Sequence, residues 1–284
     1  MDTSRATLNG SLAVLCLLLL AGCNSLFDGG DDDDASNDDD LNGDDDAGDD
    51  DSAQAITQTW TLSFPAEGLA RIELENSLGE ISLSGSAGAT NIEVLATLHG
   101  EAGAEPLATL PIEVTDLEAA LTLTIEPPQG LEGARIDLLV SAPDDMTMGL
   151  SGGDYPLSVV DMRAGGGIAS TGGTITGLGL SGNFEVSGGD ASILLGLELV
   201  PGGSLTASLD SGPIELDLPA DTSAMLTATA TGGAVEISGL SFEGVVVDGQ
   251  GQGTLGSGDG SISLSTSEAD IRLRGHGPPE AEGN

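Results

Sequence analysis

Gly173-Thr174-Ile175-Thr176-Gly177, Gly189-Asp190-Ala191-Ser192-Ile193-Leu194, Gly212-Pro213-Ile214-Glu215-Leu216 and Gly233-Ala234-Val235-Glu236-Ile237 are four versions of one phrase. Each starts on glycine at a bend and runs into a short strand in which aliphatic and polar residues alternate. Alternation at period two puts one face of a strand against a core and the other in water. Gly152-Gly153, Gly172-Gly173, Gly188-Gly189, Gly212, Gly232-Gly233 and Gly258 follow at intervals of 20, 16, 24, 20 and 26 residues. A turn residue recurring at that cadence reads as a β-solenoid, or β-helix, of roughly 20-residue coils, each strand pairing with its counterpart one coil away. Glycine supplies the positive φ of a sharp corner and leaves room where corners stack. An antiparallel sandwich or meander with glycine-rich turns also gives strands about every 8–12 residues. The fixed phase of the glycine pairs favours the solenoid.

The alternation extends toward the N-terminus, through Thr57-Gln58-Thr59-Trp60-Thr61-Leu62, Arg71-Ile72-Glu73-Leu74-Glu75 and Leu121-Thr122-Leu123-Thr124-Ile125. No stretch carries a helical stripe, so the class is all-β. Aromatic residues make up 2% of the chain, which leaves an aliphatic, thin core. Glycine divides the body: residues 53–149 hold nine and residues 150–284 hold 29. Residues 56–149 therefore read as an N-terminal β region, forming either the first, atypical coils or a small sheet that caps the stack. Residues 150–275 read as glycine-rich solenoid coils and 276–284 as a disordered tail.

Ahead of the body, Leu12 to Ala21 is an unbroken apolar run ending in Leu20-Ala21-Gly22-Cys23. Ten apolar residues are too few for a permanent transmembrane helix and suit the apolar core of a secretory signal. Small residues before a cysteine resemble a bacterial lipoprotein signal, which makes 1–22 the signal peptide and Cys23 the lipidated first residue of the mature chain. Cys16 leaves with the signal, so no disulfide or thiolate site remains. Asn24 after the cysteine favours the outer membrane. Residues 23–55 form an acidic leash: 14 of the 24 residues from Asp28 to Asp51 are Asp. Like charges and the lack of apolar residues make it a disordered, extended linker.

The formal net charge is −41 at pH 7, and residues 53–284 carry 32 acidic residues against five Arg and no Lys. Such a chain repels nucleic acid and anionic lipid. Attachment to a lipid membrane must come through the Cys23 anchor, and the charge also suits a saline habitat.

The opening Ile72-Glu73-Leu74-Glu75-Asn76-Ser77-Leu78-Gly79-Glu80-Ile81-Ser82-Leu83-Ser84-Gly85 and the later Thr231-Gly232-Gly233-Ala234-Val235-Glu236-Ile237-Ser238-Gly239 carry a family resemblance. Strands running into proline, such as Leu218-Pro219-Ala220-Asp221 and Ala142-Pro143-Asp144, carry it too. Over roughly residues 56–275 the body resembles the DUF4097-type bacterial adhesin domains, related to the heads of autotransporter adhesins. The resemblance implies a β-solenoid on an exported or surface protein with an adhesive role, and no catalytic residues come with it.

Chemistry-bearing residues are sparse. His99 and His276 lack a second His or Cys at ligand spacing, which argues against zinc. Ser187 and Ser211 sit at glycine turns without a nucleophile elbow. Trp60 and Tyr155 are the only large aromatic residues besides Phe, too few for a sugar platform, and Trp60 reads as core. Arg272 and Arg274 share one strand face and either cap the last coil or balance acidic neighbours. Asp154, Asp190 and Asp259 follow glycine at turns and could form a carboxylate ladder for calcium, although Asp is also simply a good turn residue. No other cofactor is expected. The sequence thus describes a noncatalytic, lipid-anchored envelope lipoprotein that presents an acidic solenoid to a surface, matrix or protein partner. The alternative is an envelope enzyme on a β-helix acting on polysaccharide.

Overall fold

The computed structural model describes residues 55–102, 107–117, 119–127 and 133–277. The signal peptide, Cys23, the acidic leash up to residue 54 and the last seven residues lie outside the described residues, whereas Ala55 and His276, read from sequence as leash and tail, fall in the first and last strands. The strands in chain order are β1 (Ala55–Pro65), β2 (Arg71–Asn76), β3 (Ile81–Ser86), β4 (Asn91–Ala102), β5 (Ile112–Leu117), β6 (Ala120–Ile125) and β7 (Arg135–Pro143). Then come β8 (Thr147–Gly152), β9 (Leu157–Val160), β10 (Gly166–Ser170), β11 (Ile175–Ser181), β12 (Phe184–Asp190), β13 (Ile193–Glu198) and β14 (Ser204–Ser211). The last seven are β15 (Ile214–Pro219), β16 (Ala224–Thr231), β17 (Val235–Ser238), β18 (Phe242–Val247), β19 (Gln250–Leu255), β20 (Gly260–Ser267) and β21 (Ile271–His276).

They form two sheets. Sheet A has ten strands, in the order β1-β4-β7-β3-β9-β11-β13-β15-β21-β17; sheet B has eleven, β18-β19-β16-β20-β14-β12-β10-β8-β2-β6-β5. Sixteen strands pair off as eight coils, each with one strand in B followed by one in A, and coils stack through parallel ladders. The architecture is the expected all-β solenoid. Parallel coils also extend below residue 147, because β2–β3 and β6–β7 belong to the same stack.

Core rows run straight through the stack. In sheet A, Leu138, Ile81, Leu157, Ile175, Ile193, Ile214, Ile271 and Val235 are successive partners, all buried. The sheet B strand, its corner and the sheet A strand form a unit of fixed length in every coil except β6–β7. Met148 and Leu157, Gly166 and Ile175, Phe184 and Ile193, Leu205 and Ile214, Leu226 and Val235, and Ile262 and Ile271 are each nine residues apart. The return path absorbs the variation: Ile175 is 18 residues after Leu157, Ile193 is 18 after Ile175, and Ile214 is 21 after Ile193. This is why the glycine cadence hovers near 20 without being constant.

Corner glycines serve mainly close approach. In stack order from the second coil on, the fourth residue of each corner, counting the last sheet B core position as the first, is Gly79, Tyr155, Gly173, Ala191, Gly212, Ala269 and Gly233; in the first coil Ile136 on β7 holds the equivalent place, two residues before the sheet A core row. Glycine thus occupies every second coil. A Cβ at Gly79, Gly173, Gly212 or Gly233 would land on the carbonyl oxygen of Ile136, Tyr155, Ala191 or Ala269 respectively. Of these four only Gly212 also has positive φ, at 116°. The expectation that corner glycines are there for positive φ therefore holds at few of them.

Gly258 is a misplaced corner: at φ 82° it lies in the turn between β19 and β20, on the return path. The true corner of that coil is Thr266–Asp270, where Glu268 takes the left-handed conformation at φ 61° that Gly232 takes at 81° in the next coil. A glutamate in that conformation leaves no glycine to read.

Small buried polar side chains tie corners together. Asn76 Nδ2 donates to the Ile136 carbonyl at 2.7 Å, Ser170 Oγ to that of Gly153 at 2.9 Å and Thr266 Oγ1 to that of Gly212 at 2.6 Å. Each bond reaches the preceding coil of the stack. Among the described residues no buried side-chain polar atom lacks a partner, as an interior of low dielectric demands.

Both ends depart from chain order. The first coil laid down, β2–β3, lies between β6–β7 and β8–β9. The last, β20–β21, slots between β14–β15 and β16–β17. Antiparallel strands then close the ends: β4 and β1 beside β7, β5 beside β6, and the β18–β19 hairpin beside β16. The N-terminal region is thus both of the things its sequence left open, atypical coils and a cap. Trp60 on β1 is half-buried against the core.

Candidate functional site

The outward side of sheet B is built by the same alternation that builds the core. On adjacent strands β14, β20 and β16, the inward residues are Leu, Ile, Ala and Thr266, and the outward ones are almost all Ser or Thr. Thr206, Ser263 and Thr227 align across the three strands, as do Ser208, Ser265 and Thr229. Ser204 and Ser261 extend the grid at one end, Ser267 and Thr231 at the other. Strand geometry spaces these ten hydroxyls about 6.7 Å along each strand and about 4.8 Å between strands. Hydroxyls both donate and accept, so the ten positions make a low, hydrogen-bonding grid without charge of its own, bordered by Asp210 on β14 and by Glu185 opposite Thr206 on β12.

Further along the same face lies an open groove of ≈ 290 Å³. Glu73 and Glu75 on β2 form one bank, Glu185 and Ser187 on β12 the other, and Gly149, Ser151, Gly167 and Ala169 the floor. Gly167 has ordinary φ, and a Cβ there would meet nothing closer than 4.0 Å. Its bareness is not required by packing. Thr122 donates to Glu73 at 3.0 Å and Thr124 to Glu75 at 3.2 Å, while Arg71 pairs with Glu73 at 2.9 Å on the rim.

Sheet A presents charge and apolar surface. Arg272, on the inserted coil, reaches Glu215 at 3.2 Å on one neighbouring coil, Glu236 at 3.3 Å on the other, and Asp270 at 2.8 Å. The hydrogen bond to Glu215, then that to Glu236, holds its guanidinium pKa above the usual value. Arg272 thus balances acidic neighbours; its coil is internal, so it caps nothing. Arg135 is raised likewise, first by its hydrogen bond to Asp137, and stacks 5.2 Å over the Tyr155 ring. Leu178 and Leu194 are 50% and 43% exposed in the middle of the same face.

The remaining sequence candidates scatter. Asp154 and Asp190 occupy the same corner position two coils apart, about 10 Å by strand spacing, with Gly172 between them. Asp259 sits on the return path before β20, so the three carboxylates form no single ladder. Among the described residues no cluster of three or more His, Cys, Asp or Glu could hold a metal. Asp259 accepts from Ser257 at 2.6 Å and Ser223 at 3.1 Å, in that order the causes that lower its pKa. His99 lies 3.2 Å from Asp137 and His276 3.0 Å from Asp217, on different strands of sheet A. Ser187 is on the groove bank and Ser211 at a corner. Sequence reading missed the hydroxyl grid, although Ser261-Ile262-Ser263-Leu264-Ser265-Thr266-Ser267 and Thr227-Ala228-Thr229-Ala230-Thr231 announce it strand by strand. Only the stacking order makes them neighbours.

Fold and faces together define a capped, two-sheet parallel β-solenoid. No protein-family model matches the chain. No curated protein matches it either. Among solved structures, it is similar to a "putative cell adhesion protein" from Clostridium sporogenes, at 13% identity and a TM-score of 0.42, covering 78% of this chain and 100% of that one. A "putative adhesin" from Bacteroides fragilis matches at 12% identity and TM-score 0.29, covering 77% and 97%. A "putative lipid binding protein" from Parabacteroides distasonis matches at 11% identity and TM-score 0.29, covering 78% and 95%.

Proposed function

We propose that the chain is a noncatalytic envelope lipoprotein, held to a membrane through Cys23, whose solenoid adheres to a surface, matrix or protein partner through the hydroxyl grid of sheet B. The observation that carries this reading is the grid itself: ten Ser and Thr side chains on three adjacent strands of a chain with net charge −41. Contact with another acidic envelope surface is opposed by charge, and an uncharged patch is where the least repulsion and desolvation are met. The acidic leash supplies reach.

The test coats beads with the full chain and measures attachment to cells and to isolated envelope polysaccharide. Thr206→Val, Ser263→Val and Thr227→Val together, which remove three aligned hydroxyls without adding charge, should cut attachment at least tenfold with little change in melting. Undiminished attachment would reject the grid. Labelled palmitate should enter the chain and be lost in Cys23→Ala; label surviving that change would reject the anchor.

A second reading rests on the groove, where Arg71 and Glu73 meet beside Glu75 and Glu185 stands on the opposite bank. It makes the protein a polysaccharide-active enzyme. Release of new reducing ends from envelope polysaccharide, abolished by Glu73→Gln, would favour it.

A further inference from the structure

The ten grid hydroxyls are almost all unspent. Among the described residues only Ser204 gives its hydroxyl to the protein, donating to Asn183 at 3.4 Å. At the other end of the sheet such groups are used up, since Thr122 and Thr124 donate to Glu73 and Glu75. The ladders of β14 with β20 and of β20 with β16 run in register without a bulge, so the rows stay straight. On β19 they continue into amides, Gln252 opposite Thr227 and Gln250 opposite Thr229. Ser187, opposite Ser208, carries one row on across β12. That row, Ser187, Ser208, Ser265, Thr229 and Gln250, crosses five strands over about 19 Å. Neither a charged nor an aromatic side chain stands among the ten hydroxyls.

We infer that the surface this face adheres to is ice. The inference rests on the grid being the adhesive face and names what it meets. A single bound molecule engages a few hydroxyls; all ten are met together only by a partner that repeats in two dimensions with the same periods. Those periods, about 4.8 Å across the strands and about 6.7 Å along them, lie close to the oxygen spacings on the prism face of ice. Ice adds a chemical requirement. Its surface oxygens carry their protons in random orientations, so a matching site must be able to donate or accept at every point. A hydroxyl or an amide does either, whereas an ionised carboxylate only accepts and Arg or Lys only donates. A mineral lattice calls for charge and a sugar face for aromatic platforms, and the grid has neither. Ice is uncharged, so the net charge of −41 does not oppose contact. Each bond to ice replaces one to liquid water, so the gain per hydroxyl is small and the whole grid must seat at once. One bulky side chain at its centre is therefore enough to prevent binding.

The test grows ice slowly in a solution of the full chain in non-ionic detergent and compares the chain's concentration in the melted ice with that left in the liquid. The unaltered chain should enter the ice at least tenfold more than Ser263→Tyr, and Thr227→Tyr should be excluded as Ser263→Tyr is. Leu194→Tyr, on the exposed face of sheet A, should enter as the unaltered chain does. Exclusion of the unaltered chain overturns the inference. So does entry that Ser263→Tyr and Thr227→Tyr leave intact, or equal loss in Leu194→Tyr. Retention on crystalline cellulose or chitin of a chain that ice excludes overturns it in favour of a polysaccharide surface. Loss of bead attachment in the triple Val variant, with the unaltered chain excluded from ice, overturns ice as the partner and keeps the grid as the adhesive face.

Discussion

The middle of the stack and its two ends are assembled from the same phrase but by different rules. From β8 to β15 each coil lies on the one made just before it, so neighbours in sequence are neighbours in space. At the ends a coil is skipped and filled out of turn: β2–β3 is enclosed by later coils, and β20–β21 enters a slot between coils already made. The middle behaves as a one-dimensional array with nearest-neighbour coupling. The ends are longer-range closures, in which one coil holds its chain neighbour on one side and the coil one further along the chain on the other.

The largest effect should come from emptying the C-terminal slot. Deleting residues after Gly258 removes the partner of both β14–β15 and β16–β17. Hydrogen exchange should then show residues 224–255 losing protection while 147–198 keep it. Protection lost evenly along the stack would mean the ends are no more than the middle extended.

Next comes the corner row. Gly212→Val places a side chain on the Ala191 carbonyl at a backbone of φ 116°, and should cost about 3 kcal/mol or more in urea denaturation. Ala191→Gly in the adjacent coil needs only the flexibility penalty, about 1 kcal/mol. Equal costs would remove the alternation of glycine and side chain from the account.

Smaller still is the charge that registers the inserted coil. Arg272 is 34% exposed amid three carboxylates, whereas Arg163 is 66% exposed with only Asp144 at 3.2 Å. Arg272→Ala should lower stability measurably in urea denaturation, less so in high salt, and Arg163→Ala should leave it nearly unchanged. The smallest change is acidic. The folded pKa of Asp259 is lowered, so its contribution is present above the unfolded value of about 3.9 and is lost as pH falls through the folded value. Asp259→Asn should slightly flatten stability against pH below about 4, and a steeper acid limb would contradict the sign.

The sequence makes the middle legible because there periodicity and space coincide. Ile175, Ile193 and Ile214 can be laid side by side by counting. The ends resist counting. Glu268 hides a corner where glycine would mark it, and Gly258 marks a turn that is not one. In chain order the fourth corner residues run Gly212, Gly233, Ala269, which breaks the alternation; only the inserted position of the last coil restores Gly212, Ala269, Gly233. The hydroxyl grid was invisible for the same reason, since β20 and its Ser263 stand between Thr206 and Thr227 only after that insertion.

That position can be measured directly by paired cysteines in a chain with Cys16 and Cys23 replaced by Ala. Thr206→Cys with Ser263→Cys, and Ser263→Cys with Thr227→Cys, should each form an intramolecular disulfide, because both pairs sit on adjacent strands about 4.8 Å apart. Thr206→Cys with Thr227→Cys should not, being separated by a whole strand. Efficient bridging of that last pair, with none to residue 263, would place the coils in chain order and contradict the interleaved stack.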